Sequence, residues 1–118
     1  MNLHKTRAEL EELSVRQLRA RRRRLASRLT DTEAMLIGSL ISQGRRCGKE
    51  GCRCQQGEPH GPYHYLSAPA GSTSRLRYVP AELVEVVRRH LERSQAIQAV
   101  LAEIAAINAE LLARRELD

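Results

Sequence analysis

Cys47, Cys52, Cys54 and His60 fall within fourteen consecutive residues of a 118-residue chain. Their side chains are those that bind borderline-soft metals: three sulfurs and one imidazole nitrogen would complete the tetrahedral shell that zinc prefers. Gly48, Gly51 and Gly57 allow tight backbone turns between the ligands, including left-handed ones. Such turns bring amides up to sulfur and help to keep thiolates deprotonated. A second argument comes from what the segment lacks. Residues 43–62 contain no Leu, Ile, Val, Met or aromatic side chain, so hydrophobic burial cannot order them, and ligand bonds would have to do so instead. The sequence therefore predicts one structural zinc held by Cys47, Cys52, Cys54 and His60.

The spacing is unusual for a zinc element, with four residues between Cys47 and Cys52 and one between Cys52 and Cys54. Competing readings are three reduced cysteines in a braced loop, a redox pair, or a cysteine nucleophile. His60 is preferred to His64 as the fourth ligand because it precedes a Gly-Pro corner and lies outside the predicted hairpin. His64 is expected to sit in a strand and pack against Tyr78. His4 and His90 read as ordinary helix residues.

Charge supplies the other chemical signal. Residues 1–30 carry nine Lys/Arg against three Asp/Glu, residues 31–80 six against four, and residues 81–118 five against seven. A basic excess at one end suggests a polyanionic partner. Candidate phosphate contacts are Arg19, Arg21, Arg22, Arg23, Arg24 and Arg28 in the first part of the chain. Arg45, Arg46, Lys49, Arg53, Arg75 and Arg77 form a second group around the cysteine loop. Pairing of the basic first part with the acidic last part of the same chain is the alternative use for these charges. Paired carboxylates, a phosphate-cradling loop and a nucleophile arrangement are not evident, which argues against an enzyme and against a small-molecule substrate.

The elements that must position these residues are mostly helical. Residues 6–29 read as a basic helix, with Thr6 as its cap and Glu9 in the capping-box position. Leu10, Leu13, Val15, Leu18, Leu25 and Leu29 form its apolar stripe. Residues 34–79 hold a short strand near Leu36–Ser42, the knuckle, and a hairpin of Tyr63–Ser67 with Arg75–Val79 across the turn APAGSTS. Pro80 opens a helix that runs to residue 117, and Ile97, Val100, Ile104, Ile107 and Leu111 give it a coiled-coil seam. The expected fold is α+β in one domain over 1–118: long antiparallel helices with a small central β-hairpin and a cysteine/histidine knuckle. Excess apolar surface on the last helix predicts a homodimer. The N-terminus does not resemble a secretory signal and no stretch reads as long enough to span a membrane, so a cytoplasmic protein with reduced cysteines is expected.

The run CGKEGCRCQQGEPHGPYHYLS, followed by a Gly/Ser turn, RYVP and a long helix, resembles an uncharacterised family of small bacterial proteins, some encoded near mobile elements or phage genes. Its pattern, CGKxGCxC, then GxxHGPY, then YVP, falls here on Cys47, Gly48, Lys49, Gly51, Cys52, Cys54, Gly57, His60, Gly61, Pro62, Tyr63, Tyr78, Val79 and Pro80, and the resemblance runs from about Gly38 to Leu112. The family's Gly-Lys-Thr-like turn is replaced by Gly71, Ser72 and Thr73, so a lysine contact there is lost or passes to Arg75 or Arg77. The resemblance supports the layout and implies no activity. The function expected from the residues is a nucleic-acid-binding accessory protein, for DNA before RNA, with a structural zinc knuckle. The other expectation is a non-catalytic scaffold or adaptor that binds a partner protein through its helical surface.

Overall fold

The computed structural model describes residues 4–118 as a mixed α+β fold. Its contacts divide the chain into two compact units, Met1–Ala34 with Ser94–Asp118, and Met35–Arg93.

The first unit is helical. The single helix expected over 6–29 is two: α1 spans Arg7–Glu11 and α2 spans Val15–Ala26. Thr6 does cap α1, its side chain accepting from the Glu9 amide. The chain then breaks because Ser14 offers a second, stronger start. Its hydroxyl accepts from the Gln17 amide at 3.1 Å while the Gln17 side chain accepts from the Ser14 amide at 2.9 Å, a complete capping box. The carbonyls left open at the end of α1 are satisfied by Arg114, which donates to Leu13 O at 2.6 Å and to Glu11 O at 2.9 Å. Leu10, Leu18 and Leu25 pack with Val100, Ile107 and Leu111 of the last helix, with Leu13, Val15, Leu29 and Ile104 around them. The 3–4 seam thus serves as core within the chain. Burial of each such side chain stabilises the unit by roughly 1.5–3 kcal/mol.

The second unit holds an antiparallel sheet of β1 (Ser39–Arg45), β2 (His60–Ala70) and β3 (Thr73–Val79), in that order. The strand expected over 36–42 therefore lies three residues further along, and it widens the hairpin to three strands. Ala70 pairs with Thr73, so only Gly71 and Ser72 form the turn, with Gly71 at φ 68°. Pro69 is tolerated in the central strand because β1 pairs no further than Ser67. One face carries Leu66 and Val79, buried with Leu91 and flanked by Leu36, Leu40, Val84 and Val87.

After Pro80 a single 3-10 turn, Ala81–Leu83, precedes α3, Val84–Ala113, which is about 45 Å long. The helix thus starts and stops a few residues inside the expected 80–117. By length and composition alone Ala81–Ala113 passes for a membrane-spanning helix, an eighteen-residue window of it having a mean hydropathy of 1.5. Ile97, Val100, Ile107 and Leu111 of that stretch are nevertheless buried among protein side chains, as is Glu103.

Candidate metal centre

The knuckle is built between the end of β1 and the start of β2. At Gly44 the register of β1 against β2 shifts, a bulge between the Gln43–Tyr63 and Arg45–His60 pairs. A Cβ at Gly44 would lie 2.5 Å from Pro59 Cγ, so only glycine lets the strand approach its returning partner there. The chain next turns through Lys49, whose carbonyl accepts from the Cys52 amide at 3.3 Å and from Gln55 Nε2 at 2.9 Å. Gly51 makes that turn possible with φ 80°, whereas Gly48 and Gly57 are not left-handed. Cys52 heads a 3-10 turn, Arg53–Gln55, that swings Cys54 inward. Arg46 clasps the far end by donating to Gly57 O at 2.9 Å.

This path brings one atom from each of Cys47, Cys52, Cys54 and His60 within 4.8 Å of all the others. Cys47 Sγ and Cys54 Sγ are 3.5 Å apart, and Cys52 Sγ is 3.2 Å from His60 Nε2. The edges of a tetrahedral zinc shell with ordinary bond lengths are about 3.5–3.8 Å. Those two separations lie within a few tenths of an ångström of such edges, and a metal would draw in the remaining ones, none longer than 4.8 Å, so a Cys₃His site capable of coordinating a metal ion is present. The Cys47 amide points at Cys54 Sγ at 3.2 Å, as the turns predict. Backbone donation from Cys54, reinforced by Cys47, Cys54 and His60, pulls the Cys52 thiol down to about 6, so it is largely thiolate at neutral pH. Burial pushes the Cys54 thiol up; only 1% of that residue is exposed.

His60 is the first residue of β2 rather than a loop residue outside the hairpin. The sheet register thus fixes where its ring starts. His64 also departs from expectation: its Nδ1 lies 2.9 Å from Ser42 Oγ, its partner across β1, and Tyr65 is the residue against Tyr78.

The basic residues separate into distinct settings. Arg21 forms ion pairs with Glu103, Arg22 with Asp118 and Arg19 with Glu116. Arg23, Arg24 and Arg28 are exposed. Arg45 lies over the Tyr65 ring, 5.0 Å from its centroid. Lys49 and Arg53 are exposed on the knuckle. Arg75 and Arg77 pair with Ala68 and Leu66, so strand alternation puts them on the sheet face opposite Tyr65 and Tyr78.

Glu103 is one of the acidic residues, with Glu110 and Glu116, that the sequence offers as partners for the arginine run, whereas the roles of His4 and Arg114 were not foreseen. Glu103 is 4% exposed and accepts from Arg21, from the Lys5 amide at 3.0 Å and from His4, whose Nδ1 is 3.1 Å away. His4 is thus a buried-carboxylate partner, not an ordinary helix residue. Arg114 completes the set. A charged residue on the apolar seam side of α3 was the available signal for Glu103; Arg114 offered none.

Comparison with curated proteins and with solved structures returns no match. A family model described as "Domain of unknown function (DUF6788)" matches residues 15–89, from the start of α2 into α3. That span holds the whole knuckle and sheet, and it begins earlier and ends earlier than the resemblance read from the cysteine pattern. The chain belongs to the DUF6788 family.

Proposed function

We propose that the chain is a non-catalytic nucleic-acid-binding accessory protein, DNA before RNA, whose binding surface is held in shape by one structural zinc. The observation that carries this reading is the closure of three sulfurs and one imidazole to within 4.8 Å in a segment without apolar side chains. Zinc, with no redox chemistry and no preference beyond four tetrahedral ligands, suits that donor set. The same knuckle presents Arg45, Arg46, Lys49 and Arg53 on its exposed side. Reduced thiols of this kind belong in the cytoplasm, and such a role is compatible with the mobile-element setting that the family resemblance implies.

The test is duplex DNA binding by zinc-loaded protein at two salt concentrations. Four phosphate contacts would cost roughly a hundredfold in affinity between 50 and 200 mM salt. Replacing Arg45, Arg46, Lys49 and Arg53 by Gln should remove binding while leaving one zinc per chain. Unchanged mobility of both duplex and single-stranded DNA at low salt and micromolar protein defeats the reading.

A specific observation favours a second reading, a scaffold that acts through its helices as a homodimer or on a partner protein. Arg19, Arg21 and Arg22 are already paired within the chain, which removes much of the first basic group from phosphate binding. Leu101, Leu112 and Leu117 are meanwhile about half exposed or more (50%, 62% and 48%).

A further inference from the structure

The sheet face opposite the Leu66 side carries an aromatic cluster that neither the metal nor the core accounts for. Tyr63 and Tyr65 alternate onto the same side of β2, and Tyr78 is the direct cross-strand partner of Tyr65. The Tyr65 and Tyr78 rings meet edge to face, 5.9 Å between centroids and 70° between planes. With Arg45 and Arg46 they line a cleft of about 630 Å³, which Cys47 and His60 border at the metal end. The chain's three tyrosines are its entire aromatic complement, and all line this one cleft. Tyr78 is 59% exposed, although an aromatic ring on a sheet is normally covered. No carboxylate is among the described residues that line the cleft.

We infer that this cleft binds the unpaired bases of a single-stranded nucleic acid. The inference rests on the proposed nucleic-acid function and narrows it. The exposed Tyr78 ring and the half-buried Tyr63 ring offer faces on which bases stack, and the planar Arg45 guanidinium, laid over the buried Tyr65 ring, extends the same surface. Duplex bases are stacked on one another and cannot reach such rings, whereas those of a single strand can be splayed onto them. Arg45 and Arg46 at the rim supply the positive charge that a phosphate backbone needs. Their fit is electrostatic as well as steric, and a second copy of this basic rim would be repelled. The bulge at Gly44 and the ligand residues Cys47 and His60 flank Arg45 and Arg46, and a bound zinc would hold that end of the cleft in shape.

The experiment compares a labelled fifteen-nucleotide dT strand with a duplex of the same length, by fluorescence anisotropy on the zinc-loaded full chain. The expected result is at least tenfold tighter binding of the single strand. Tyr78→Ala should lose about tenfold in single-strand affinity, the size of one lost stack, and leave duplex binding unchanged. Tyr78→Phe should keep wild-type affinity, because stacking needs the ring and not the hydroxyl. Tyr63→Ala provides an independent loss on the same face, and one zinc per chain in each variant shows that it has folded. Equal affinity for strand and duplex, unaffected by either alanine variant, overturns the stacking inference and leaves the nucleic-acid reading standing. Absence of binding to both probes overturns the two together.

Discussion

Arg21 grips the Glu103 carboxylate with two donors, Nε to one oxygen and Nη2 to the other at 2.9 Å. This pair sits beside an aliphatic core, with 15% and 2% of the two side chains exposed, and it turns part of an arginine run into a structural device. Arg21→Gln leaves a buried carboxylate whose remaining partners among the described residues are the Lys5 amide and His4. We expect a loss of about 2–3 kcal/mol in stability, read by urea unfolding. Arg23→Gln with Arg24→Gln, both exposed, should change stability by less than about 0.5 kcal/mol. Equal effects from the two variants would contradict this division of the run.

The same carboxylate sets an acid dependence. Burial pushes the Glu103 acid up, but hydrogen bonds from Arg21, the Lys5 amide and His4, with the Arg21 charge, bring it below the ordinary carboxylate range. A depressed folded value means stability that is fully present above the unfolded pKa of about 4.3 and is lost as pH falls through the folded value. The melting temperature of wild type should exceed that of Glu103→Gln near neutral pH, and the two should begin to converge below about pH 4 and meet only below the folded value. Parallel curves down to acid would show that the charge carries no stability.

Zinc removal should act locally. Non-denaturing mass spectrometry is expected to find one zinc on wild type and none on Cys52→Ser. Chelation should collapse the amide protection of residues 46–60 yet keep most far-ultraviolet helical signal, because none of the residues in the Leu18–Ile107 core is a ligand. A metal-free protein with the same protection pattern would rule out a structural metal.

The seam of α3 and its outer side give opposite predictions. Ile107 is fully buried, so Ile107→Ala should cost about 2–5 kcal/mol. Leu112 is exposed, so Leu112→Glu should leave stability unchanged. If the exposed leucines carry a homodimer, sedimentation equilibrium will show Leu112→Glu shifting wild-type dimer to a species of 13.3 kDa. A monomeric wild type at every concentration ends that proposal.

The sequence made the metal site legible because its ligands are chemically distinctive and close together, so no tertiary knowledge was needed to group Cys47 with His60. The Tyr/His and Arg/Leu/Tyr alternation likewise announced the hairpin. Harder to see was the break at Ser14: residues 6–29 keep high helix propensity throughout, and only Gln17 three residues on marks a new cap. The 3–4 seam identified Ile107 and Leu111 as buried, but periodicity cannot say whether the covering helix belongs to the same chain. The partners of Arg21 and Arg22 lie more than eighty positions away, a distance over which charge counting gives a total and not a pairing. The aromatic cleft depends on register, since a one-residue slip would have sent Tyr78 to the Arg77 side.

The spread of contacts along the chain has a consequence for the order of folding. The knuckle ligands close within fourteen residues and the sheet within about forty, whereas Lys5 meets Glu103 across 98 positions and Arg114 meets Leu10 across 104. Short loops close quickly and long ones pay a larger entropy first. On an elongating ribosome the knuckle and sheet can load metal and set their register while α2, already made, still lacks the residues that cover Leu18 and Leu25. The long arginine-rich stretch therefore spends part of synthesis without Glu103 or Asp118, and pulse-labelled hydrogen exchange should find the β2 amides protected before those of α2.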